Sequence, residues 1–141
     1  MKLHDLLEMS AKDIESAEDM LKRKFLSASI ILNFTKHFAD RIIDGARDEH
    51  VARDNITVRE MIDVFAKIYS RHNQIFKQAA DFQDELKRGE FEGVIKDLML
   101  KINISYGLEF NKSRGKYVMT CITIMKRDKF KTKNTDHVVE V

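Results

Sequence analysis

The spacing of hydrophobic positions changes along this chain, and the change predicts its elements. Up to residue 24 the apolar residues recur at helical spacing: Leu3, Leu6 and Leu7, then Ile14, Ala17, Met20 and Leu21. Ser10 can cap the second half of that stretch, with Asp13 three residues on in a near capping-box position. Ser27–Phe34 (SASIILNF) alternates in part and holds two adjacent isoleucines, which favours a short strand. Thr35 is then an N-cap for KHFADRIIDGAR, where Phe38, Ile42, Ile43 and Ala46 form one apolar stripe of a helix over Thr35–Arg47. Gly45 weakens this helix near its end, and the polar run 48–55 reads as a loop. Thr57 with Glu60 makes a capping box that opens an amphipathic helix through Met61, Ile62, Val64, Phe65 and Ile68. A further helical pattern runs from Ile75 to Leu86 and stops at Gly89.

The final third turns to a period of two. After Leu98–Met99–Leu100, the residues Ile102, Ile104, Tyr106, Leu108 and Phe110 alternate with polar or small ones. Asn111–Lys116 contains Gly115 and reads as a hairpin turn. On the return strand, Tyr117, Met119, Cys121 and Thr123 alternate with Val118, Thr120, Ile122 and Ile124, so both faces are partly apolar, as in a central strand with helices on one side. Val138–Val141 reads as an edge strand or a tail. The expected fold class is therefore α+β, with N-terminal helices packed on one face of a C-terminal antiparallel sheet. At 141 residues the chain fits one domain, divided as a helical stretch 1–24, a core 25–132 and a terminal piece 133–141.

Charge adds a feature that the total conceals. The net charge is +2, but residues 112–133 carry eight cations against Asp128 alone, a local +7 that leaves −5 for the rest. Such segregation points to an anionic partner. No apolar run approaches the ~18–20 residues of a membrane-spanning helix, and Asp5 and Glu8 interrupt what would be a signal peptide. The expectation is a soluble cytoplasmic protein with no membrane partner. Proline is absent, which removes Pro-rich linkers and PPII ligand motifs. The single cysteine, Cys121, lies in an apolar stretch and reads as a small buried hydrophobe.

Candidate chemistry is sparse. There is no Walker loop, no G-x-G-x-x-G, no C-x-x-C pair and no H-E-x-x-H, so no cofactor and no metal are expected. The five histidines are scattered; His4, His50 and His137 sit in polar or terminal contexts that suggest solvent exposure. His37 differs, because Arg41 lies four residues on, one helical turn away. A histidine with a guanidinium beside it can move a proton while the cation neutralises a phosphate; a solvated His/Arg pair is the bland alternative. Phe130 among Lys126, Arg127, Lys129, Lys131 and Lys133 has the make-up of a nucleic-acid groove, with a ring for a base and cations for phosphates. It fits equally a phenylalanine anchoring the chain end, with the lysines in solvent.

The segment FTKHFADRIIDGARDEHVARDNITVREMIDVFAKI, with its lead-in, H-x-x-D-R, polar loop and capped helix, resembles the RegB-type phage endoribonucleases and the wider RelE-like, barnase–EndoU–colicin group. The strand ending TIMKRDKFKT (Thr123–Thr132) is similar to the closing strand of small phage proteins of that kind. The resemblance spans Thr35 to about Thr132. It implies a RelE/RegB-like fold and metal-independent cleavage of single-stranded mRNA, in which the ribose 2′-hydroxyl attacks the phosphate to leave a 2′,3′-cyclic phosphate. On this resemblance His37 would be base or acid, Arg41 and Arg127 phosphate clamps and Thr123 a hydroxyl on the sheet. Arg114, Lys116, Lys126, Lys129, Phe130 and Lys131 would bind RNA. It also implies a phage protein in the cytoplasm of an infected bacterium, acting in host takeover or mRNA turnover, on the ribosome or under a protein inhibitor. The RegB pattern uses two histidines, and no second histidine here falls on a motif. The general acid is thus unassigned, and an inactive RNA- or protein-binding regulator of the same fold is the alternative.

Overall fold

The computed structural model describes residues 14–43, 56–126 and 137–141. The expected cap at Ser10 and the loop at 48–55 lie outside them. Helix α1 (Ile14–Leu26) buries Ala17, Leu21 and Phe25, and its polar side faces water. A turn through Ser29, at φ 64, leads into strand β1 (Ile30–Phe34). Thr35 caps the short helix α2 (Lys36–Asp40), accepting from the Phe38 N–H. Strands β2 (Ile42–Ile43) and β3 (Ile56–Thr57) pair in parallel as a separate two-stranded sheet. Helix α3 (Val58–Ser70) begins at the expected capping box: Thr57 Oγ1 accepts from Glu60 N, and the Glu60 carboxylate accepts from Thr57 N. After Arg71 come α4 (His72–Ala79), a 3-10 turn (Ala80–Phe82) and α5 (Gln83–Arg88), closed by Gly89 in the left-handed region at φ 67. Then follow β4 (Phe91–Asp97), β5 (Ile102–Asn111), β6 (Lys116–Lys126) and β7 (His137–Glu140).

The α+β class holds, but the main sheet is mixed rather than antiparallel. Its order is β1-β6-β5-β4-β7, with β4, β5 and β6 antiparallel and both edge strands, β1 and β7, parallel to their neighbours. β1 belongs to the helical half of the sequence yet pairs with β6, Ile30 opposite Tyr117 and Phe34 opposite Cys121. Alternation then decides the faces. Ile30, Leu32, Met119, Cys121, Ile124, Ile102, Ile104, Tyr106, Leu108 and Ile95 are buried under the helices. A bulge between Ser105 and Tyr106 adds Ile122 opposite that junction, so Thr123 falls on the other face, opposite Ser105. Phe25, Phe34 and Phe38 pack edge-on around Phe65 at centroid distances of 5.5–6.1 Å, welding α1, β1 and α2 to α3.

Several expectations are corrected here. The helix over Thr35–Arg47 ends at Arg41, because Ile42 and Ile43 leave it to pair with Ile56 and Thr57; two adjacent β-branched residues suit a strand better than a helix. Ala46 lies outside the described residues. The strand expected over Ser27–Phe34 starts only at Ile30, and the helix Ile75–Leu86 is broken by the 3-10 turn. Strand β4 was not expected at all, since Glu92, Gly93 and Lys96 interrupt its apolar run, and Leu98–Leu100 form the turn after it. His137 is not exposed: its ring stacks on Phe91 at 4.3 Å and leans on Phe82 at 4.2 Å. Its Nε2 lies 3.5 Å from the Glu85 carboxylate. Cys121 is fully buried, as expected, and burial pushes its thiol well above the usual range.

Candidate nucleic-acid interface

The β5–β6 hairpin is where the basic residues become geometry. Asn111 Oδ1 accepts from Ser113 Oγ at 2.8 Å and from Arg114 N at 3.2 Å, so one side chain organises the turn. Gly115, at φ 63, completes it and donates its N–H to Lys112 O. Lys112 and Arg114 are exposed and Lys116 half-buried at the start of β6. Two exposed cations on the turn and a third at its foot thus cluster where the backbone is held by its own asparagine.

Aromatic rings run from the base of this turn across the helices. Phe110 meets Tyr117 edge-on at 5.1 Å, and Tyr117 stacks flat on Phe76 of α4 at 4.5 Å. Phe76 meets His72 at 6.1 Å, and His72 meets Tyr69 of α3 at 5.1 Å. The His72 Nδ1 lies 2.6 Å from Tyr69 O, which fixes the ring. The Lys24 ammonium stands 5.1 Å from the Tyr69 ring centre. All five rings are half-buried, so each keeps some surface in water. The strip was not anticipated, although residues 69, 72 and 76 stand three and four apart and carry the signal of one shared face.

The proposed catalytic residues are arranged differently. His37 is exposed on α2 and Arg41 is half-buried at its C-cap. Thr35 Oγ1 donates to Ile122 O at 2.8 Å, and Thr35 N donates to Cys121 O. These bonds pin the start of α2 to β6 just before Thr123. The Thr123 hydroxyl is shared with the Ser105 hydroxyl across the β5–β6 pair, so its partner there is not a base. Lys126 is committed elsewhere: its Nζ lies 2.5 Å from the Glu60 carboxylate, on the helix-covered side. Burial pushes the Glu60 carboxyl up, but bonds from Lys126 and from the Thr57 N–H outweigh it, and the pKa falls below its ordinary 4.5. The pair cancels charge where Lys126 was expected to meet RNA. Arg127, Lys129, Phe130 and Lys131 lie outside the described residues.

Among the described residues no group of three His, Cys, Asp or Glu side chains is placed to hold a metal ion. No helix among them is long and apolar enough to cross a membrane. No protein-family model matches the chain, and neither does a curated protein or a solved structure.

Proposed function

We propose that this protein binds single-stranded RNA without cleaving it, gripping the phosphate backbone with the β5–β6 turn. The carrying observation is the turn itself: exposed Lys112 and Arg114, with half-buried Lys116 beside them, on a self-organised hairpin seated on half-buried rings. Cations on a fixed turn hold phosphates at low entropic cost, and the half-buried rings nearby offer bases some apolar surface. The test is fluorescence anisotropy with a labelled single-stranded RNA over a salt series. Three phosphate contacts give a slope of log affinity on log salt of about −2. The triple substitution Lys112→Glu, Arg114→Glu and Lys116→Glu is expected to flatten that slope and weaken binding at least tenfold. Unchanged binding by the triple variant removes the proposal.

A second reading, metal-independent endoribonuclease action of the RelE/RegB type, has one observation in its favour. Thr35 fastens α2, the bearer of His37 and Arg41, to β6 beside Thr123. It predicts 2′,3′-cyclic phosphate ends in the presence of EDTA, lost on His37→Ala. RNA that stays intact under these conditions leaves the binding reading alone.

A further inference from the structure

The edge strand β7 borders a groove of about 630 Å³ lined by Arg71, Gln74, Lys77, Gln78 and Asp81 on the helical side and Val138–Glu140 on the other. In the β4–β7 ladder, Lys96 stands opposite Glu140, and Val141 N donates to Lys96 O at 2.9 Å. In a parallel ladder alternate residues turn both backbone groups to the same side. Val139 and Val141 therefore face β4, while Val138 and Glu140 turn their N–H and C=O outward into the groove. The Glu140 carbonyl confirms the direction, since it accepts from Arg71 Nη1 at 3.2 Å. The helical wall runs antiparallel to β7: Arg71 stands at the Glu140 end, and Phe82, next to Asp81, packs on His137 at the other. The groove thus has a cation at one end, an anion at the other, and an outward-facing strand edge between them.

We infer that β7 is the contact by which two copies of this chain associate, pairing antiparallel about a two-fold axis at Val139. In that register Val138 meets Glu140 of the second copy and Glu140 meets its Val138. The residues whose backbone groups face outward are then the ones that a hydrogen-bonded antiparallel pair requires. A two-fold axis also reverses the groove, bringing Arg71 of each copy toward Asp81 of the other, so its two ends are complementary, with Lys77 between them left to solvent-screened repulsion. The Glu140 carbonyl can keep Arg71 while accepting across the axis, because it has two lone pairs. The main sheet would continue through both copies, which pairs an edge that has no neighbour among the described residues.

Sedimentation velocity on the full chain over a concentration series tests this. A concentration-dependent dimer is expected. Arg71→Asp or Asp81→Arg alone places like charges opposite each other and is expected to weaken association about tenfold or more. The double variant carrying both changes is expected to restore it, a rescue that a merely misfolded single variant could not produce; circular dichroism on each variant checks its fold. A chain that stays monomeric at all concentrations overturns the inference, as does a dimer indifferent to these charges. Neither result touches the RNA-binding turn, which lies on β5 and β6.

Discussion

Gly93 in β4 stands directly opposite Tyr106 in β5, and the tyrosine ring lies over it. A Cβ at Gly93 would come within 2.7 Å of the ring Cζ and hydroxyl oxygen. Tyr106 is only 1% exposed, so its ring has little room to retreat. Gly93→Ala is therefore expected to cost about 1–3 kcal/mol through overpacking, lowering Tm by roughly 3–10 °C. The cause is separable by a double-mutant cycle, because Tyr106→Leu removes the clashing atoms. In that background the alanine should cost much less, and equal costs in the two backgrounds would dismiss the clash. The same residue explains a limit of the sequence. The close approach needs a glycine, but a glycine between Glu92 and Val94 looks like a break in an apolar run. The pressure that makes β4 work hid it.

At the scale of elements, legibility followed how local each instruction was. The box at Thr57 and Glu60 and the turn at Asn111–Lys116 are encoded within a few residues and stand where the sequence puts them. Helix α2 failed because Ile42 and Ile43 satisfy a helical stripe and a strand equally well, and only pairing with Ile56 decides between them. Glu60 also carries an instruction invisible locally, since it ties the first turn of α3 to Lys126 at the end of β6. Its folded pKa is depressed, so the stability it confers is fully present above its ordinary value of 4.5 and is lost as pH falls through the folded value. Glu60→Gln keeps a capping-box side chain but no charge. At pH 7 it is expected to lose about 1–3 kcal/mol relative to the native chain. Urea unfolding repeated over a falling pH series should show that gap shrinking below pH 4.5; a gap that stays constant down to the acid limit would mean that the charge contributes nothing.

The whole molecule depends on one pairing that no local pattern announces. β1 joins β6 across 87 positions of sequence, Ile30 with Tyr117, whereas β5 and β6 are joined by a short turn. Together with the parallel β4–β7 pair this non-local step makes the sheet mixed; it also places α1 against the core and, through Thr35, sets α2 beside β6 just before Thr123. Hence the candidate site was legible as residue types but not as an arrangement: His37 and Thr123 could be named, while the bond from Thr35 that ties the helix of one to the strand of the other could not. Order of folding should follow the same logic, because closing the long loop costs chain entropy that the hairpin does not. Leu32 in β1 and Met119 in β6 are both buried and directly paired, which makes them a matched probe. Each truncation to alanine is expected to cost about 2–5 kcal/mol at equilibrium. Met119→Ala should act substantially on the folding rate, since its hairpin neighbour Leu108 is close in sequence. Leu32→Ala should leave the folding rate nearly unchanged and accelerate unfolding, giving a φ-value near zero. Stopped-flow chevrons on the two variants decide the matter, and a high φ-value at Leu32 would mean that the long-range β1–β6 contact nucleates the sheet instead of completing it.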